Sequence, residues 1–581
     1  MALSSDPHDH DRSAQNSFST DAALQRWLEQ RAPDLIARYR GQLDAFGAWV
    51  ARDVDPAAAY TDRLAPPHLI ARPALSDPQA TGAGAELATE VVHNPAYLAI
   101  HRGAYERGII GLNYGPQPAP FLLTFTMGYL LAQADISIHC PVTLTGAVAY
   151  VLDRFAPADV KQSYLPALTR MDGMAATGGT WATERQGGSD VGANAATAAV
   201  EKNGTVTLHG LKWFCSNAAS DLALATARPG GTAAGGEGLG LYLVPRRLAD
   251  GTINRYRIRR LKEKLGTRGL ATGEIDLLGA TAIEIAPPPR GLRMMMEALA
   301  YSRVHNAVAA TGIQRRAFEE ALNYSRQRHS FGAPLIDHPA VRTKLLDLQM
   351  ELEASLTLSL TTAEVFDAAQ RDAGRQIWLR LLTALAKYRT AELAVTGASA
   401  AIEILGGNGY TDDYVTARLL RDAQALPVWE GPANIQALEI LRLVLGKADG
   451  GRIFADEVSS MLAGIDPRLT GTASVRKGLG SYVYVLGQLR QNPAAAPHHG
   501  FALMELMADL ACATLLLRDA TTELAAGDGR KAWLAARYIT RRFERASHAG
   551  PDIRAVADAG VEMDVLFYRP IGGSGGAEIR G

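Results

Sequence analysis

Hydrophobic positions along this chain change their period twice. Between residues 21 and 158 they recur at helical spacing, with Trp27, Leu28, Leu35, Ile36 and Tyr39 in one run and Leu122, Phe125, Tyr129 and Leu130 in another. A stretch at 65–84 holding Pro66, Pro67, Pro73 and Pro78 lies between them and reads as loop. From about Met171 short β-type runs alternate with turns, at 193–200, 206–208, 222–227, 239–244, 255–261 and 274–278. The helical period returns at Gly291, after Pro287-Pro288-Pro289. Val341, Leu345, Leu348, Leu352, Leu356 and Leu360 form one apolar stripe, and Ile377, Leu381, Leu385, Tyr388 and Leu405 belong to a second long helix. Past a Gly-rich break at 446–451, residues 454–568 read as further helix, followed by a flexible tail. The pattern predicts an α+β multidomain protein in the order α, β, α, α. Its parts are an N-terminal helical domain (1–170), a central β-barrel or sandwich (171–290), a C-terminal helical bundle (291–446) and an extra C-terminal helical domain with its tail (447–581).

Composition narrows the function classes. The chain has 581 residues, too many for one core, with 47% hydrophobic and 20% charged residues and a formal net charge of −1. That balance gives no field to attract nucleic acid or a membrane surface. Cys140, Cys215 and Cys512 are few and widely spaced, which fits reduced thiols and neither a disulfide framework nor a zinc site. No metal is expected; His8 and His10 read as part of a solvated tail. The N-terminus is polar, and the apolar run Phe121–Ala132 is too short to span a bilayer, so a cytoplasmic protein is expected.

Two stretches carry candidate chemistry. In the first, Trp181 to Asn217, the pair Asn203-Gly204 between β-type runs predicts a hairpin with a type I′ turn. The hairpin would return the loop 186–190 toward 212–217. Gly187 and Gly188 there permit close backbone approach, and Thr183, Ser189 and Ser216 offer uncharged hydroxyls. Taken alone, Gly-Gly-Ser-Asp serves a solvent turn as well as a site. The second stretch runs E-I-L-G-G-N-G-Y from Glu403 and then W-E-G-P-A-N-I-Q from Trp429. Pro432 suits the first turn of a helix, which leaves Glu430 in the preceding loop beside Val428, Trp429 and Gly431. Desolvation there would raise the carboxyl pKa while a helix N-terminus would lower it, leaving a usable base. A surface glutamate near a helix start fits the same residues.

Four motifs occur in one order: T-E-x-x-G-G-S-D, G-x-K-W-F-x-S-N, R-Q-R-H-S-F-G at 326–332, and L-G-G-N-G-Y followed by R-D-A and W-E-G. Together they resemble the acyl-CoA dehydrogenase family over roughly 135–445. The C-terminal extension, the insertion P-R-R-L-A-D-G-T, H-C-P-V-T-L-T at 139–145 and an acidic Glu403 are similar to the AidB-type branch, associated with the adaptive response to DNA alkylation. The N-terminal segment matches that branch poorly.

The resemblance implies FAD as cofactor and an acyl-CoA substrate, with Glu430 as the α-proton base and Arg303, following a short helix start, beside it. It implies that Thr183 bonds the flavin ring, that Gly188 and Ser189 meet the pyrophosphate, and that Phe214 and Ser216 cover the ring face and edge. Arg328 and Phe331 would reach the FAD of a neighbouring subunit in a dimer of dimers. Gly406 and Gly407 would allow close approach of backbone to the diphosphate, with Glu403 beside the flavin and Asn434 near the adenosine half. Pro432 replaces a usual hydroxyl residue. Electrons would pass to an electron-transfer flavoprotein or a similar acceptor. The alternative is an AidB-like stress-response flavoprotein that binds DNA and retains weak or vestigial dehydrogenase activity. Its candidate DNA surface is Arg530, Lys531, Arg537, Arg541, Arg542 and Arg545, although a solvated helix face explains the same charges. Residues 446–581 hold sixteen Lys/Arg against fifteen Asp/Glu, so the region as a whole is not basic.

Overall fold

The computed structural model describes residues 15–72 and 88–544. His8, His10, most of the Pro-rich stretch, Arg545 and the Gly-rich tail lie outside them. The chain divides into two compact units at Ile435/Gln436.

The first unit opens with helices α1 (Ala22–Arg31), α2 (Pro33–Trp49), α3 (Asp55–Arg63), α4 (Pro95–Glu106), α5 (Phe121–Ala132), α6 (Ile136–Phe155) and α7 (Ala158–Leu168). Trp27, Leu28, Leu35 and Ile36 are buried, as their helical spacing predicts. Part of the segment read as loop forms strand β1 (His68–Arg72), which pairs antiparallel with β2 (Ala88–Val92) beyond it. Prolines at its start hid the strand, because a single short pair has little periodicity to betray it. Helix α5 begins after Pro120, which has no side chain to cap it. Instead the Asp367 carboxylate accepts from the backbone N–H of Phe121 and Leu122, each at 2.8 Å.

The β-domain follows: β3 (Gly178–Trp181), β4 (Thr197–Val200), β5 (Val206–Ser216), β6 (Leu222–Pro229), β7 (Gly240–Pro245), β8 (Tyr256–Leu261) and β9 (Thr272–Ala286). Strands β6, β4, β5, β9 and β7 pair in sequence, and β7 pairs back to β6, so the sheet closes into a barrel with β3 and β8 attached. Strand β9 runs far beyond the expected 274–278 because β5, β7 and β8 all pair with it. The predicted hairpin is present, with Val200 opposite Val206. Its turn is not type I′. Gly204 takes φ 83° while Asn203 stays on the negative side, and Glu201 N–H donates to Thr205 O at 2.8 Å. This is a three-residue loop in which only the glycine needs the left-handed conformation.

Inside the barrel wall Lys212 and Glu184 form an ion pair at 2.7 Å, with side chains 0% and 5% exposed. Glu184 also accepts the backbone N–H of Ala195 at 2.7 Å, and Trp213 N–H donates to Thr183 O at 3.0 Å. The loop after β3 is thereby fastened to β5.

The unit continues through α8 (Gly291–Gln327), a two-strand hairpin β10 (His329–Ser330) and β11 (Ala333–Pro334), α9 (Pro339–Arg371), α10 (Gln376–Leu405), α11 (Gly407–Tyr410) and α12 (Val415–Ala423). The apolar stripes face inward: Leu345, Leu352, Leu356 and Leu360 of α9 and Leu381, Leu385, Tyr388 and Leu405 of α10 are all buried. What reads as a short helix start at 292–301 is one 37-residue helix, so Arg303 lies within α8. Buried ion pairs fasten α3 to it, Asp55 meeting Arg316 of α8 at 2.8 Å and Arg418 of α12 at 3.1 Å.

Helix α13 (Ala433–Leu445) runs across the division, and the second unit adds α14 (Gly450–Ala463), α15 (Thr472–Gln491), α16 (Ala496–Ala525) and α17 (Arg530–Ile539). Two helical segments, Ile136–Phe155 and Pro493–Ala525, are long and apolar enough to cross a membrane, and their most apolar windows are 94% and 83% buried, as in core helices.

Replacing one member of a buried ion pair strands the other charge, at a cost of about 3–5 kcal/mol. Lys212→Met should therefore lower the denaturation midpoint sharply, and Lys212→Met with Glu184→Gln should recover much of the loss. A single variant as stable as wild type in chemical unfolding would contradict the pair's role.

Candidate active site

Glu430 lies in the loop between α12 and α13, where its neighbours suggested. Its backbone takes φ 57°, and Gly431 follows at 91°. A non-glycine residue held there stores strain and must be fixed by its surroundings. Three side chains supply the fixing. Arg303 Nε donates to the Glu430 carbonyl at 2.9 Å, Asn306 Nδ2 to Leu426 O at 3.3 Å, and Lys387 Nζ to Pro427 O at 3.1 Å. Arg303, which the residues alone would place on a surface, is 9% exposed.

The Glu430 carboxyl is raised from 4.5 to about 7, chiefly by burial, with the charges of Arg303 and Lys387 opposing. The opposing influence expected from a helix N-terminus is therefore supplied by these two cations. Burial also lowers Lys387 to about 8, with Glu430 opposing. Glu430 and Trp429 line a small pocket whose other walls include His139, Cys140, Thr143, Leu144, Ser302 and Asn306. Cys140 is pushed up to about 12 by burial first, with Glu430 adding to the rise, while Lys264 and a hydrogen bond with Ser216 lower it. This thiol links Ser216 of the barrel to the neighbourhood of Glu430.

Around Ser216 the other barrel candidates gather at one rim. Thr183 follows β3 by two residues, and a Cβ on Gly188 would meet its Oγ1 at 2.6 Å, so a side chain there would displace the threonine hydroxyl. Gly187 takes φ 135° with open space beside it, Ser189 is exposed, and Phe214 is 57% exposed. A flat apolar ring left open beside a glycine loop offers a face for stacking.

The remaining candidates lie elsewhere. Arg328 and Phe331 follow the far end of α8, about 37 Å from Arg303 along the helix axis at 1.5 Å per residue. Phe331 and Gly332 form the tip of β10–β11 with φ 52° and 83°, and Phe331 is 97% exposed. Gly406 and Gly407 end α10 with open space at both positions, Glu403 is ion-paired to Lys344 at 2.6 Å, and Asn434 is exposed in the first turn of α13.

Lys387, Asn306, Glu184 and Lys212 carry structural work at the site that no motif assigned to them. A lysine in the apolar run around Leu385 and Tyr388 was the one available signal for Lys387. The basic cluster of the second unit does not make a uniform face, since Lys531 is 4% exposed and Arg542 Nε lies 3.8 Å from an Asp509 oxygen. Among the described residues no group of three His, Cys, Asp or Glu side chains could hold a metal ion.

A carboxyl whose pKa rises on folding stabilises the folded state fully below its unfolded value, and that contribution is lost as pH rises through the folded one. For Glu430 the window runs from 4.5 to about 7. Glu430→Gln should therefore melt above wild type at pH values past this window and level with it below. A constant melting difference across the window would contradict a buried, raised carboxyl.

Residues 179–279 match the middle domain of acyl-CoA dehydrogenases, 289–445 their C-terminal domain, and 9–172 the N-terminal domain of the adaptive response protein AidB. The last match corrects the poor agreement read at the N-terminus, where helical packing is retained with little motif-like sequence. Acyl-CoA dehydrogenase family member 11 of Caenorhabditis elegans is 30% identical over 463 residues, 77% of this chain and 73% of the relative. Putative acyl-CoA dehydrogenase AidB of Escherichia coli is 34% identical over 330 residues, 55% and 60% of the two chains. The structure of C. elegans ACDH-11 in complex with C11-CoA superposes with a TM-score of 0.80 at 26% identity, covering 91% of each chain. The barrel between helical bundles, the ordered motifs and these likenesses agree: the chain belongs to the acyl-CoA dehydrogenase family, with an AidB-type N-terminal domain.

Proposed function

We propose that this protein is an FAD-dependent acyl-CoA dehydrogenase in which Glu430 removes the α-proton of an acyl-CoA thioester, giving an α,β-unsaturated product. The observation that carries this reading is a buried carboxyl raised to about 7 on the wall of a pocket, where it can be deprotonated near neutral pH yet remain basic.

The family binds FAD, and the barrel rim fits that group. Gly187 has room beside it for a phosphate, Gly188 keeps the Thr183 hydroxyl in place by lacking a Cβ, and Phe214 leaves a ring face open. Thr183, Ser189 and Ser216 would hold the flavin and its pyrophosphate. When bound, FAD supplies a hydride acceptor for the substrate β-carbon. The chain's own task is geometric and electrostatic. Arg303 anchors the Glu430 carbonyl so that its carboxylate is held at the pocket, Lys387 limits how far burial raises that carboxyl, and Trp429 helps exclude water. The backbone N–H of Glu430 is the family's donor to the developing enolate oxygen.

Arg328 and Phe331 lie too far along α8 to serve a flavin beside Glu430 of the same chain. Together with the exposed, strained Phe331, this supports a homo-oligomer, a dimer of dimers, in which they meet a neighbour's cofactor with Gly406 and Gly407, while Glu403 serves the flavin and Asn434 the adenosine half. An electron-transfer flavoprotein is the acceptor we infer from the family.

The AidB-type domain at 9–172 favours a second reading, a DNA-alkylation stress-response flavoprotein with a vestigial site. The buried Lys531 and the proximity of Arg542 to Asp509 weaken the basic cluster offered as its DNA surface.

Glu430→Gln should bind flavin normally and reduce it with acyl-CoA at least about 10²-fold more slowly in anaerobic stopped flow, the lower range for general-base catalysis. Wild-type kcat/KM should rise with pH toward a plateau above about 7, because the base must lose its proton. Equal reduction rates in variant and wild type would remove Glu430 from the chemistry. Failure of wild type to reduce its flavin with any acyl-CoA would favour the second reading.

Gly187→Glu adds a carboxylate where the pyrophosphate would sit and forces a left-handed conformation on a side-chain-bearing residue. It should purify folded but with little flavin absorbance per chain. Full flavin content in that variant would displace the cofactor from this loop.

A further inference from the structure

The pocket beside Glu430 has a polarity that the dehydrogenase reading does not require. Helices α6 and α8 contribute His139, Thr143, Ser302 and Asn306 to its wall, all less than a tenth exposed. Their hydroxyl hydrogens can be followed one by one. Ser302 Oγ donates to Ala298 O at 3.1 Å, and Thr143 Oγ1 donates to His139 O at 2.9 Å. Asn306 uses Nδ2 on Leu426 O, while its buried Oδ1 has no partner among the described residues.

The two histidines add no free donor. Tyr301 is fully buried, and its hydroxyl lies 3.1 Å from His305 Nε2, the acceptor its proton requires. That places the His305 hydrogen on Nδ1, facing His139 Nε2 at 3.3 Å. The His139 hydrogen is then on Nδ1, facing Thr143 Oγ1 at 3.4 Å. Burial lowers the pKa of both rings, His139 to about 3, so neither gains a second proton near neutral pH. The relay runs one way, from Tyr301 through His305 and His139 to Thr143. With the hydroxyl hydrogens of Ser302 and Thr143 spent, these two side chains and Asn306 Oδ1 offer acceptors on the α6 and α8 side of the pocket.

A plain alkyl chain here would leave Asn306 Oδ1 buried and unsatisfied, a penalty a site for such chains has no reason to carry. The space is narrow and open on one side, which favours a short group over a long one. We propose that this pocket selects a short acyl group bearing a hydrogen-bond donor, a hydroxyl beyond the β-carbon, over an alkyl chain of the same length. This rests on the dehydrogenase reading. The hydroxyl takes no part in the reaction: the α-proton goes to Glu430, the β-hydride to FAD, and the carbon bearing the hydroxyl is unchanged.

The test compares 4-hydroxybutyryl-CoA with valeryl-CoA, which carries a methyl group in place of the hydroxyl. Binding to the Glu430→Gln holoenzyme is measured by calorimetry, and flavin reduction is measured in wild type. The hydroxylated ligand should bind roughly tenfold to a hundredfold more tightly, the scale set by one unsatisfied buried acceptor. Asn306→Leu should reverse the preference. Because Asn306 also holds Leu426, Thr143→Val serves as a second variant and should reduce the ratio without touching that loop. Equal or weaker binding of the hydroxylated ligand by the Glu430→Gln holoenzyme would overturn the proposal. A ratio unchanged in both wall variants would do the same. Tighter binding of the hydroxylated ligand with no flavin reduction by either compound would support the pocket's selectivity and reject the dehydrogenase reading instead.

Discussion

The carbonyls of Leu426, Pro427 and Glu430 impose the constraint on which the site depends. Buried carbonyls need donors, and a loop cannot supply them from a regular ladder. Here Asn306, Lys387 and Arg303 reach in from two long helices and satisfy one each. Two of these donors are cations, whose hydrogen bonds contribute about 1.5–3 kcal/mol apiece. That is enough to hold a glutamate in the left-handed region, where a non-glycine residue costs of order 1–3 kcal/mol. The same cations tune the carboxyl they position, because their charges oppose the burial that raises it. Geometry and basicity at Glu430 are thus set by one pair of side chains.

The barrel solves a related problem in a different way. A glycine loop able to approach a ligand has little side-chain packing of its own, so its position must come from its flanks. Glu184 and Lys212 supply that position as a buried pair, with Glu184 also accepting backbone N–H groups from the segment that follows the loop. Closure of β7 onto β6 leaves no open edge within the ring and makes the rim stiff. Five non-glycine residues among those described take positive φ. Asn217 and Glu430 do so on the two sides of the Ser216–Cys140 link, Phe331 at an exposed tip, and Thr267 and Asp449 elsewhere. A bulky aromatic in that conformation is uncommon.

Much of the architecture could be read along the chain because its signals are local and periodic. The inward leucines of α9 and α10, the β-runs after Met171 and the hairpin at Asn203-Gly204 each reflect a spacing that a few residues fix by themselves. The motifs around Gly187, Gly188 and Trp429–Gly431 were also legible, since glycine and proline restrict or release the backbone wherever they stand. These features, with the family resemblance they carry, were determined by sequence alone.

Tertiary structure decided what depends on distant residues meeting. The turn after β4 became a three-residue loop because the register of Val200 with Val206 fixed its length, although Asn-Gly alone favours a shorter one. Strand β9 lengthened because three neighbours pair with it. Arg303 and Lys387 stand 127 and 43 positions from Glu430, and only packing of α8 and α10 against its loop shows that they hold it. The acceptor character of the pocket wall follows from where each hydroxyl hydrogen goes. That is a property of three-dimensional neighbours, because a serine, threonine or asparagine read along the chain offers donors and acceptors alike.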